Sequence, residues 1–129
     1  ETHGLFSNDK TSIIASGDFY LLGLLNSNLM DFYMRRVCTE LLNDHYEVKP
    51  ANLASLPIRE VSSTNSFHVN LRAEIENGAI ALSKLYSVRE AERSDKANEE
   101  ILENERRVNR AAAKLYRLTP GEISLVENY

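Results

Sequence analysis

The chain has 129 residues, 43% hydrophobic and 26% charged, which suits one modest folded domain. Cys38 is its only cysteine, so an intramolecular disulfide and a cysteine-built zinc cage are both excluded, and a reducing cytoplasm fits best. The net charge of −4 runs against a freestanding, strongly DNA-binding domain, because such domains usually carry a basic excess.

No apolar run reaches the ~18–20 residues that a membrane span needs; Asn26, Asn28 and Asp31 interrupt the richest stretch. No basic-then-apolar signal segment opens the chain. It begins Glu1-Thr2-His3 rather than with Met, as expected of a fragment or a processed chain.

Residues 1–9 are polar and read as loop. Lys10–Ala15 (KTSIIA) is rich in β-branched residues and predicts a short strand. Ser16-Gly17-Asp18 is a turn that ends on a good helix cap. Phe19–Leu25 is apolar nearly all round, so a helix there should be buried on most sides. Asn26-Ser27 breaks the pattern, and Ser27 can cap a second helix over Asn28–Leu42. Leu29, Phe32, Tyr33, Val37 and Leu41 form its predicted inward stripe.

Asn43-Asp44 signals a turn. His45–Lys49 alternates, with Tyr46 and Val48 on one face, and predicts a half-buried strand. Pro50 suits the first position of a helical turn anchored by Leu53 and Leu56, and Pro57 prevents its continuation. Ser62–Ser66 (SSTNS) is a polar linker. It divides the chain into residues 1–61 and residues 62–129.

Beyond the linker, Leu71, Ile75, Ala79, Leu82 and Tyr86 recur at helical spacing across Phe67–Arg93. Ala97, Ile101, Val108, Ala111, Ala112 and Leu115 do so across Asp95–Arg117. Two long helices in an antiparallel hairpin are expected, with one continuous helix as the alternative because the turn near Ser94-Asp95 lacks Gly or Pro. The acids of these helices should be solvated, with pairs such as Glu103–Arg107 along one helix. Thr119-Pro120-Gly121-Glu122 spells a capping box, and Ile123 and Val126 should tuck a short last helix onto the hairpin. The expected fold class is α+β, mainly helical. Short strands pack with two N-terminal helices, and a long antiparallel helical hairpin and a capped C-terminal helix follow. Strands left without partners would expose a sheet edge, so homo-oligomerisation of the isolated chain is also expected.

No catalytic constellation emerges. The five glycines are scattered, and His3, His45 and His68 lack metal-ligand spacing. No catalytic residue, metal ligand or cofactor site is therefore assigned. Contact with nucleic acid instead rests on Lys10, Arg35, Arg36, His45, Tyr46, Lys49, Asn52 and Arg59, which fall near turns and strand ends. Arg grips phosphate or guanine in bidentate fashion, and Asn can read adenine. Arg35 and Arg36 equally suit solvated helix cations that pair with Asp31 or Glu40. Tyr46 equally suits the core.

Tyr20–Ser27 (YLLGLLNS), Phe32-Tyr33-Met34, Tyr46–Ile58 (YEVKPANLASLPI) and Leu115–Glu127 (LYRLTPGEISLVE) follow one another in an order that resembles the TaqI-like C-terminal specificity domain. That domain occurs in N6-adenine DNA methyltransferases and in fused type IIG restriction–modification enzymes. The middle block also resembles the end of a target-recognition domain in type I restriction specificity subunits, where a helical spacer likewise follows the Leu-Pro-Ile exit; the closing LYRLTPGEI favours the TaqI-like family. Arg117 stands where the family often has Gly.

The resemblance implies that residues 1–61 end a DNA target-recognition domain and that residues 62–129 form a helical spacer. The implied partners are double-stranded DNA and an upstream methyltransferase domain, which would bind S-adenosylmethionine and flip out the target adenine. The methyltransferase Asn/Asp-Pro-Pro-Tyr/Phe motif is absent here, since the chain has no Pro-Pro pair. Much of the base-reading surface is expected before Lys10. A helical scaffold or dimerisation module that touches no nucleic acid is the alternative from another class, motivated by the acidic balance and the two apolar stripes.

Overall fold

The computed structural model describes residues 18–37, 39–40, 46–47 and 56–128. Helix α1 spans Phe19–Leu25. Asp18 is extended, and its carboxylate accepts the Leu21 N–H at 3.1 Å, which satisfies one free donor of the first turn. Ser27 joins α1 to α2, Asn28–Val37. Its hydroxyl donates to Leu24 O at 2.7 Å and accepts from the Met30 N–H at 3.3 Å. Ser27 is the buried polar residue of this corner, and these two bonds are what make its burial tolerable.

Helix α2 stops at Val37 rather than running to Leu42. Thr39–Glu40 (β1) instead pairs antiparallel with Tyr46–Glu47 (β2), with Thr39 opposite Glu47 and Glu40 opposite Tyr46. Val37 and Thr39 are β-branched, stiff at χ1, and poorer helix formers than the residues before them.

The face that α2 buries also differs from the expected stripe. Met30 and Met34 are buried, while Leu29, Phe32 and Tyr33 are half-exposed. The Asn28 N–H donates to Asn109 Oδ1 at 2.9 Å, a tertiary bond that fixes the rotation of the helix about its axis.

Helix α3 spans Ser66–Tyr86 and is capped by Asn65, whose side chain accepts the His68 N–H at 3.1 Å. It ends where the Ser87 hydroxyl takes the Lys84 carbonyl at 2.6 Å, seven residues short of Arg93. A 3-10 turn at Glu90–Glu92 carries the chain to Ser94, which caps α4, Asp95–Leu115, by accepting the Ala97 N–H at 3.1 Å. The two rods are therefore a hairpin, not one continuous helix.

They meet through small residues. A Cβ built on Gly78 would stand 2.5 Å from Val108 Cγ2, so no side chain larger than hydrogen fits without movement. Arg107 bonds to Glu74 of α3 at 2.6 Å, and Glu103 reaches Arg106 and Arg110 instead of Arg107. The expected Glu103–Arg107 pair is thus replaced by a bond across the hairpin.

Helix α4 closes with the two bonds of a Schellman motif: Arg117 N–H to Lys114 O at 3.2 Å and Leu118 N–H to Ala113 O at 3.0 Å. Arg117 takes the left-handed position, φ 57°, that this motif requires. Helix α5, Pro120–Glu127, opens with the full capping box of Thr119 and Glu122, as its sequence spells. It contacts α2, and Ile123 and Val126 line a groove of about 260 Å³ shared with Leu29, Ala113 and Leu118.

Tyr20 and Leu24 of α1 share one apolar core with Leu71, Ile75 and Leu82 of α3 and Ile101, Val108 and Leu115 of α4. The stretch around the polar linker is therefore bridged by packing. The expected α+β class is overturned. The described residues form five α-helices and one 3-10 turn, and helix packs on helix. Their only β pairing is two residues long on each strand, too short to make a layer with a buried face. The strand expected at Lys10–Ala15 lies outside the described residues.

Candidate nucleic-acid interface

The Leu-Pro-Ile exit is held by two tyrosines that come from opposite ends of the chain. Tyr20 lies in the second position of α1 and is buried. Its hydroxyl donates to the Arg59 carbonyl. Tyr116 is the C-cap of α4. Its hydroxyl accepts the Arg59 N–H at 2.8 Å and donates to the Pro57 carbonyl at 2.7 Å. Three backbone groups of an irregular segment are thereby paired by side chains instead of by a neighbouring strand.

Burial raises the pKa of both phenols, Tyr20 to about 12, with Tyr116 adding to the shift at Tyr20. Both hydroxyls therefore remain protonated, as donors must. Arg72 lies over the Tyr20 ring at 4.8 Å from its centroid and bonds to Glu76 at 3.3 Å, so the clamp is closed from the solvent side by a cation.

Arg59 is thus held at the C-terminal end of α4. Its Nε is buried with no hydrogen-bond partner among the described residues. Arg35 and Arg36 share the last turn of α2. Arg35 bonds to Asp31 at 3.1 Å, the intrahelical pair that the sequence allows, and Arg36 stacks 4.4 Å over the Phe32 ring. Lys10, His45, Lys49 and Asn52 lie outside the described residues, and of Tyr46 only the backbone pairing is described.

A polar cleft of about 670 Å³ opens between the α1–α2 corner and the turn end of the hairpin. Asn26, Asp31, Tyr86, Arg93 and Glu105 line it. The Tyr86 hydroxyl donates to Glu105 at 2.7 Å, and Arg93 covers the Tyr86 ring at 5.1 Å. Burial, followed by the Glu105 bond, pushes the Tyr86 pKa up to about 12. Both cations (Arg89 and Arg93) and carboxylates (Asp31, Glu90 and Glu105) line this cleft, so it makes no single-sign field for a phosphate. Among the described residues no group of His, Cys, Asp or Glu is arranged to hold a metal ion. No helix among them is long and apolar enough to cross a membrane.

Every contact candidate named from the sequence lies before residue 62; among the described residues, the exposed cations Arg106, Arg110 and Lys114 cluster on the second half of α4. Their signal was available: residues 106–117 (RRVNRAAAKLYR) hold five of the chain's 15 Lys and Arg and no acid.

Residues 2–58 match the family model of the TaqI-like C-terminal specificity domain. The resemblance drawn from YLLGLLNS to the Leu-Pro-Ile exit is shown over those residues; LYRLTPGEISLVE lies beyond them. No curated protein and no solved structure matches the chain.

Proposed function

We propose that this chain is a DNA target-recognition segment of a restriction–modification enzyme or an adenine-N6 DNA methyltransferase, and that it positions duplex DNA for an upstream catalytic domain. The match of residues 2–58 to the specificity-domain family carries this reading. The clamp supports it, because it seats the end of the matched segment on a rigid helical base. On this reading reactivity lies elsewhere in a larger cytoplasmic polypeptide: S-adenosylmethionine and the flipped adenine belong to the upstream domain.

In this mechanism Arg35, Arg36 and Lys49 contact phosphates, Lys10 and Arg59 add to the same field, and the turns near His45 and Asn52 approach the groove. Neutralising Arg35, Arg36 and Lys49 in the parent enzyme should lower the slope of log affinity against log salt by about 1 for each phosphate no longer neutralised. An unchanged slope removes the role assigned to these three. A parent enzyme that keeps its site specificity and affinity after this chain is deleted removes the reading itself.

A second reading, part of a type I restriction specificity subunit, draws on α3 beginning shortly after the clamped exit. The scaffold alternative takes its intrachain form, since the apolar stripes of α3 and α4 face each other within one chain instead of lying open to a second copy.

A further inference from the structure

The second half of α4 carries a ridge of cations that neither the family match nor the sequence candidates include. Arg106, Arg110 and Lys114 recur every fourth residue and so share one face, and Arg117 follows just past the helix end. Arg106 and Arg110 are about two-thirds exposed, and Lys114 and Arg117 are exposed. Arg107 is turned away to Glu74.

Helix-dipole complementarity explains a cation in the last turn, such as Lys114. It does not reach Arg106 or Arg110, because that effect fades within one turn. Glu103 stands near both, at 4.0 Å from Arg106 and 3.8 Å from Arg110, at the outer limit of an ion pair on an open surface. Such contacts are worth little and leave the guanidinium groups free to be recruited.

Arg117 occupies the left-handed position at which glycine fits best, yet it presents a charge there. It also directly follows Tyr116, the residue bonded to Pro57 and Arg59, so the matched segment ends where the ridge ends.

We infer that this ridge is a contact surface for the phosphate backbone of duplex DNA, and that the duplex lies across the C-terminal half of α4, continuous with the clamped exit. The inference rests on the target-recognition reading above. From Arg106 to Lys114 the ridge is about 12 Å long at the helical rise, the length of duplex axis over which one strand, at ~3.4 Å of axis per phosphate, presents three or four phosphates. The other half of α4 carries Asp95, Glu99, Glu100 and Glu103, which repel a phosphate backbone and set the side from which DNA approaches.

The test is a salt titration of the full chain on a labelled duplex of arbitrary sequence. One variant combines Arg106→Gln, Arg110→Gln and Lys114→Gln. A control of equal charge combines Lys84→Gln, Arg89→Gln and Lys96→Gln near the hairpin turn. The ridge variant should lose about 2–3 from the salt slope, and the control under about 1. Circular dichroism checks that both fold, and the charge-preserving pair Arg106→Lys with Arg110→Lys should keep the parent slope. An unchanged ridge slope, or an equal loss in the control, overturns the ridge and leaves target recognition standing. An unaltered chain with no salt-dependent affinity for duplex fails before any substitution is made; it removes DNA contact by this chain and the ridge with it.

Discussion

Removing one hydroxyl tests the clamp. Tyr116→Phe keeps the ring and its packing but deletes an acceptor for the Arg59 N–H and a donor to the Pro57 carbonyl. A net hydrogen bond is worth about 0.5–1.5 kcal/mol, and an orphaned partly buried donor costs more than an exposed one. The Arg59 N–H is part-buried, whereas the bond to Pro57 is at an exposed site where water replaces the hydroxyl. The expected loss is therefore about 1–2 kcal/mol, most of it from the Arg59 side.

For a domain of this size that loss lowers Tm by roughly 3–8 °C, and the urea midpoint should fall with no change in m. Tyr20→Phe removes the bond to the Arg59 carbonyl, on the same peptide segment. The double variant should thus be less destabilised than the sum of the two, by about 0.5 kcal/mol or more, because the segment is already loose once either bond is gone. A Tm within about 1 °C of the parent for Tyr116→Phe, or strict additivity in the cycle, would refute the clamp.

Gly23→Ala and Gly78→Ala should both destabilise, by about 1–3 kcal/mol before a propensity gain of about 1 kcal/mol, although Ala is the better helix former. A Cβ at Gly23 would stand 2.6 Å from Ile75 Cγ2 and 3.1 Å from the Ile75 carbonyl; a rise in Tm for either variant contradicts the close helix contacts. Tyr20 and Tyr86 have folded-state pKa values raised to about 12 from 10, so the stability they contribute is fully present below pH ~10 and is lost as pH climbs from there toward 12. Urea midpoints measured from pH 8 to 11.5 should show that decline, and Tyr86→Phe should reduce it; a flat profile counts against buried neutral phenols. Arg117→Gly relieves a left-handed non-glycine residue and should raise stability by about 0.5–1 kcal/mol while lowering the salt slope for duplex by about 1. Stabilisation with an unchanged slope shows that Arg117 takes no part in the ridge.

Features that depend on a few neighbouring residues were legible in the sequence. The Asp18 cap, the Ser27 corner and the Thr119–Glu122 box are each built within four residues, α1 is a single apolar run of seven, and each stands where the pattern puts it. The core stripes of α3 and α4 were legible too, because the 3.6-residue period persists over many turns. Most of what failed depended on distant partners; the end of α3, set by a local serine, is the exception. In α2 the residues Leu29, Phe32 and Tyr33 compete with Met30 and Met34 for the buried side, and a bond to Asn109 on another helix decides between them. The end of α3 lacks Gly or Pro, so a serine hydroxyl turned back onto Lys84 was invisible to a search for breakers. Thr39–Glu40 continued a helical pattern on paper and pairs with Tyr46–Glu47 instead.

The clamp gives a physical reason for the order of sequence elements along the chain. YLLGLLNS supplies Tyr20, the Leu-Pro-Ile exit supplies the Pro57 carbonyl and leads straight into Arg59, and LYRLT supplies Tyr116. These three stretches are separated by tens of residues, yet each is incomplete without the others. Past the Ile58 N–H, which bonds back to the Leu56 carbonyl at 2.9 Å, the exit has no ladder partner for its backbone among the described residues, and a buried tyrosine needs a polar partner for its hydroxyl. Each requirement answers the other. LYRLT lies beyond the residues that match the specificity-domain family, but its tyrosine holds the end of that match in place. The helical half is therefore coupled to the matched half by hydrogen bonds as well as by apolar packing. A ridge of cations fixed to that helix would be held rigidly relative to the clamped exit, which a surface that must register on phosphates requires.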